Sequence, residues 1–177
     1  MSKVPLDQSK LKSFIEEFLR ESKGVGSIYL TGGACAVMYG WRSSTIDIDM
    51  KADPEPDGFY KTLQNLKNRL EVNLELASPD QFVPALPGWQ TRSIWIAGIK
   101  NVNFYHFDFF SQALAKISRG HPRDLIDVNG MIQSQLITRA RLRELFQEVV
   151  PQLEKYPALD QEALIDKVNT FCNSDEH

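Results

Sequence analysis

Two aspartates one residue apart, Asp47 and Asp49 in TIDIDMK, follow a glycine pair, Gly32 and Gly33, in the stretch GGACAVMYGWRSSTIDIDMK. Polar Thr45, Asp47, Asp49 and Lys51 alternate there with Ile46, Ile48 and Met50. That is the two-residue period of a half-buried strand, so both carboxylates share one face. Their Cα atoms then lie roughly 6.5 to 7 Å apart, and the side chains can converge on a shared cation. Magnesium, with manganese as its substitute, takes hard oxygen ligands, keeps several waters and is held by a few carboxylates together with substrate phosphates. The pattern therefore predicts a phosphate-bearing substrate.

The glycines supply the other half of the site. Gly32 and Gly33 allow a sharp turn and a close backbone approach at the start of a helix, where exposed amides attract anions. A triphosphate can lie with its outer phosphates on this turn and its inner ones on cations at Asp47 and Asp49, with Arg42, Ser43 and Ser44 completing the cradle. A glycine pair after a strand is commonly a plain turn, and a D-x-D at a strand edge is commonly a solvated face. The informative feature is their order: strand, GG, helix, short loop, then D-x-D on a new strand.

In that order the chain resembles the nucleotidyltransferase superfamily, whose members move a nucleoside monophosphate from a nucleoside triphosphate to an acceptor. YLTGGACAVMYGWRSSTIDIDM and, later, ALAKISRGHPRDLIDV resemble the compact prokaryotic branch related to abortive-infection (AbiEii-type) nucleotidyltransferase toxins. The likeness covers about Ile28 to Ile132. It implies a third carboxylate on a later strand, catalytic and metal-binding with Asp47 and Asp49. Glu75 in LEVNLEL suits, since SPDQF directly after it resembles the family's loop; Glu71 shares its face, and Asp108 ends another strand. The resemblance further implies a lysine and a later aspartate on adjoining helices, here Lys116 and Asp124. The acceptor would be RNA, including tRNA, or protein, and a toxin of this kind would have a cognate antitoxin. A non-catalytic nucleotide-binding module of the same fold is the remaining reading.

The segment from Lys116 to Arg143 is basic, with Lys116, Arg119, Arg123, Arg139, Arg141 and Arg143 against Asp124 and Asp127. Such runs are usually solvated helix faces. The functional expectation is that Lys116 and Arg123 bind the triphosphate while the later arginines meet a nucleic-acid acceptor or a partner. Asp124 and Asp127, at i and i+3 on one helical face, would orient Lys116 or act as base on the acceptor hydroxyl. His106, His121 and His177 have no partners at metal-ligand spacing.

These residues need a scaffold. Leu11, Phe14, Ile15, Phe18 and Leu19 mark a helix over about Gln8 to Ser22. Strands are predicted at Ser27 to Thr31, Thr45 to Lys51, Leu70 to Leu76, and in SIWIAG and VNFYHFDFF around a turn near Ile99 to Asn101. Helices are predicted at Ala34 to Tyr39, Phe59 to Arg69, and roughly 111–119, 122–133, 138–150 and 160–171. Three prolines make Ser78 to Trp89 an ordered loop. The fold class expected is α/β (α+β), a small mixed sheet with helices on one face and a helical C-terminal half.

The chain of 177 residues suits a single domain over 1–177, with a sheet-rich core over about 1–110 and a helical part over about 111–177. A net charge of −3 argues against a long polynucleotide groove. Two cysteines without paired spacing, no signal-peptide core and no run of about 18 apolar residues lead to the expectation of a soluble, cytoplasmic protein without a membrane partner.

Overall fold

The computed structural model describes residues 4–174. It divides into two compact units. The first runs to Ser78 and adds Ser93–Phe107, and the second consists of Pro79–Arg92 and the chain from Asp108 onward.

The first unit holds a five-stranded mixed sheet in the order β3-β2-β1-β5-β4. Its strands are β1 (Gly26–Thr31), β2 (Asp47–Ala52), β3 (Asn73–Leu76), β4 (Ile94–Ile99) and β5 (Val102–His106). β1 pairs antiparallel with β2 and parallel with β5, β2 runs parallel to β3, and β4 pairs antiparallel with β5. One face is apolar. Ile28 and Leu30 of β1, Ile48 and Met50 of β2 and Phe104 of β5 are buried there with Phe14 and Phe18 of α1 (Gln8–Glu21) and Leu66 of α3 (Phe59–Leu70). Phe18 meets Phe104 edge-on at 5.2 Å between ring centroids, a favourable aromatic geometry. Asp7 caps α1 by accepting from the Lys10 amide.

The strand period turns the remaining residues to the opposite face. Register brings Tyr29 beside Lys51 and Tyr105, and Thr31 beside Asp49. Asp47 lies beside Asn73, and Asp49 beside Glu75. The face carrying Asp47 and Asp49 is thus the one opposite the apolar core, as the alternation predicts.

Most boundaries shift by a residue or two from the sequence expectation, and two shifts bear on the candidate acids. α3 continues through Leu70, and Glu71 caps it in the left-handed region at φ 53°, so β3 begins only at Asn73. β5 ends at His106 because Asp108 caps the next helix, accepting from the Phe110 and Ser111 amides. Neither Glu71 nor Asp108 is a strand residue.

The second unit is helical: α4 (Trp89–Arg92), α5 (Phe109–Arg119), α6 (Pro122–Gln133), α7 (Arg139–Val149) and α8 (Gln161–Asn173), with 3-10 turns at Pro79–Gln81 and Val150–Lys155. The proline-containing segment expected as a loop joins this unit through Arg92, whose guanidinium donates to both Asp108 oxygens at 3.0 and 2.8 Å. Bidentate pairing of this kind fixes orientation as well as charge. Trp89 is buried here, whereas Trp95 on β4 is largely exposed. Among the described residues no helix is long and apolar enough to cross a membrane.

Candidate functional site

The glycine turn lies between β1 and the short helix α2 (Gly33–Met38). Gly32 takes φ 63° and ψ −132°, which L side chains rarely adopt. A Cβ there would also stand 3.1 Å from Oδ2 of Asp49, so the Asp49 carboxylate lies against the turn. Gly33 is a glycine for another reason. Its φ is not positive; instead, a Cβ on it would run into the Thr45 side chain, 2.9 Å from Thr45 Cβ and nearer still to Oγ1. Thr45 has little room to move, because its backbone pairs with Leu6 in both directions at 2.7 and 3.0 Å. Its hydroxyl donates to the Asp47 carbonyl at 3.2 Å, tying the turn to the start of β2.

Arg42 reaches the same place, with Nη1 3.6 Å from where a Gly33 Cβ would stand. Ser43 and Ser44 are exposed on the loop between α2 and β2. α2 has only six residues, so its dipole is small, and the full charge on Arg42 is the stronger attraction for an anion at this turn.

Asp47, Asp49, Asn73 and Glu75 occupy the four corners of adjacent register pairs on one face of β2 and β3. The Asn73 amide donates to Asp47 Oδ1 and lies 3.5 Å from Glu75 Oε1. Glu75 is therefore the acid in register with Asp49, while Glu71 is an exposed helix cap and Asp108 is a buried cap in the second unit. Among the described residues no three His, Cys, Asp or Glu side chains stand as a group that could by themselves hold a metal ion. Asp47, Asp49 and Glu75 offer only carboxylate oxygens, and substrate phosphate and water would have to complete any cation's shell. That suits a cation which keeps water and substrate phosphate in its shell, as Mg2+ does.

The other residues expected at the site come together within the second unit. Lys116 is buried, donates to Asp127 Oδ2 at 2.7 Å and lies 3.6 Å from Asp124 Oδ1. Arg119 meets Asp124 with two nitrogens, at 2.8 and 2.5 Å. Burial pushes the Asp124 carboxyl up, but the Arg119 guanidinium and then the Lys116 ammonium outweigh it and hold it below its ordinary value. Arg123 is exposed on α6.

The later arginines, expected toward an acceptor, have partners inside this unit. Arg139 donates to the Phe171 carbonyl at 3.1 Å and stacks over its ring, Arg143 donates to Asn173, and Arg141 pairs with Glu144 at 2.9 Å. Two of the three thus fasten α7 to α8.

Sequence reasoning passed over two contributors. The sequence shows Thr45 only as a member of the alternating face, and Asn73, on the polar face of LEVNLEL, carries no signal of a role. A buried pair between β5 and α2 was also missed: His106 Nδ1 lies 3.1 Å from Cys35 Sγ, and burial lowers the imidazole pKa to about 4.

The family model described as a nucleotidyltransferase of unknown function (DUF6036) matches residues 9–169 of the chain. No curated protein and no solved structure matches it.

Proposed function

Since the chain belongs to this nucleotidyltransferase family, we propose that it transfers a nucleoside monophosphate from a nucleoside triphosphate to an RNA or protein acceptor, with the Asp47–Asp49 face as the reaction site. The observation that carries this reading is the juxtaposition of Asp47, Asp49 and Glu75 in register beside the Gly32 turn. In the transfer, an acceptor oxygen forms a bond to the α-phosphorus, the bond to the pyrophosphate oxygen breaks, and the acceptor proton leaves to solvent or a carboxylate. Asp47, Asp49 and Glu75 would hold Mg2+ or Mn2+, which when bound supplies positive charge to the triphosphate oxygens. Gly32 admits the phosphates closely and Arg42 attracts their charge, with Ser43 and Ser44 as exposed hydroxyl donors. The work is positioning and charge neutralisation. Asp124, held in its charged form by Arg119, is a weak general base, and its pairing with Lys116 supports the helices that carry both.

The finer reading is a toxin acting on tRNA and restrained by a cognate antitoxin, and it rests on the resemblance to abortive-infection toxins. Incubation with each α-labelled nucleoside triphosphate, Mg2+ and either total RNA or total protein tests both levels. Label in tRNA supports the finer reading, and label in protein replaces it. Nucleotide binding with no label in either acceptor leaves a binding module and overturns the proposal.

A further inference from the structure

Of the four side chains at the corners of the β2–β3 pair, three are acids and one is a neutral amide. Carboxylates only accept hydrogen bonds, so an asparagine between two of them must turn its NH2 group toward both; the reversed amide would set three oxygens against one another. The single Asn73 nitrogen carries two hydrogens, and the two acceptors within its reach are Asp47 Oδ1 and Glu75 Oε1. β3 is a four-residue edge strand; its register with β2 sets the Glu75 backbone beside Asp49, and the Asn73 amide adds a side-chain tie that the backbone pairing does not supply.

We propose that Asn73 is a positioning residue of this site, its amide bridging Asp47 and Glu75 and so restraining both acids on the face where a divalent cation would be received. The inference rests on the cation-binding reading of Asp47 and Asp49 and extends it. Without the bridge, like charges on neighbouring strands drive Asp47 and Glu75 apart, and the cation must gather them itself. An aspartate at this corner would add a fourth charge; asparagine gives cohesion without one. Hydrogen-bond partners of this kind orient ligating carboxylates, and their loss weakens metal binding.

The test is Mn2+ titration calorimetry on the full chain, with the paramagnetic resonance spectrum of bound Mn2+ as a second readout. Asn73→Leu removes both donors and is expected to lower Mn2+ affinity about 10-fold or more and to alter the bound-ion spectrum. Asn73→Gln, which keeps an amide donor, is expected to regain most of the affinity and the wild-type spectrum. Asn73→Ser, with one shorter donor, replaces the leucine variant should that one fail to fold, and the same loss is expected. Unchanged affinity and spectrum in a folded Asn73→Leu or Asn73→Ser protein, while Asp49→Asn abolishes binding, would overturn the role of Asn73 alone. Wild-type protein whose Mn2+ binding is indifferent to Asp49→Asn would overturn the cation site and this inference with it.

Discussion

Gly33→Ala is the sharpest probe of how the turn is built. The added Cβ would stand 2.9 Å from Thr45 Cβ and closer to its hydroxyl, and Thr45 is held by two backbone bonds to Leu6. Retreat therefore means moving a bonded segment rather than turning a side chain. Overpacking of this kind costs about 1–3 kcal/mol. Thr45→Ala alone gives up its hydroxyl bond to the Asp47 carbonyl, worth about 1 kcal/mol. In the double variant Oγ1, the nearer collision partner, is gone while Cβ remains, so part of the Gly33→Ala cost disappears and the two changes are non-additive by about 1 kcal/mol or more in the favourable direction. Urea denaturation of wild type, both single variants and the double variant measures this. Additive costs would refute the packing account and return Gly33 to a role in admitting phosphate. Nucleotide affinity of the double variant, compared at equal folded fraction, then shows how much of the glycine requirement concerns the ligand.

Lys116→Met leaves buried Asp127 without its ammonium partner and is expected to cost about 3–5 kcal/mol in denaturation, since an uncompensated buried charge is costly. A loss below about 1 kcal/mol, the size of an exposed pair, would contradict that. His106 binds a proton near 6.5 in the unfolded chain and only near 4 in the fold, so its contribution to stability is full above the unfolded value and falls as pH drops through that window. The loss is about 3 kcal/mol by pH 4, and His106→Asn should remove that part of the pH slope in melting experiments. Glu75→Gln should weaken cation-dependent nucleotide binding while Glu71→Gln leaves it unchanged, read by calorimetry with Mg2+; the reverse would move the third acid to the helix cap.

Much of the first unit was legible because β2 and β5 alternate buried and less buried residues. TIDIDMK can bury Ile48 and Met50 only by turning Asp47 and Asp49 outward, and the period of α1 named its buried face residue by residue. Strand ends were less legible. Leu70 serves equally as the last apolar residue of a helix or the first of a strand, and the left-handed cap at Glu71 decides it. Aromatic FYHFDFF read as one strand although Asp108 is a helix cap, a role Asp favours and which Ser111 three residues on reinforces through its amide and hydroxyl. The fastening of Pro79–Arg92 to the helical unit depends on Arg92 finding Asp108, a partner that no local period reveals. Asn73 was invisible for a similar reason: its meaning comes from register with Asp47, and register is a property of the assembled sheet.

If the Asp47–Asp49 face carries out nucleotidyl transfer, the α-phosphate alone passes to the acceptor, and position-specific labelling reads this out. The chain is incubated with Mg2+, acceptor extract and each nucleoside triphosphate labelled at the α- or the γ-phosphate. Macromolecular label is expected from at least one α-labelled triphosphate and none from its γ-labelled form, with release of pyrophosphate, and folded Asp49→Asn protein should lose both the α-label and the pyrophosphate. Transfer of γ-label, or α-label transfer that survives Asp49→Asn, would contradict nucleotidyl transfer at this face.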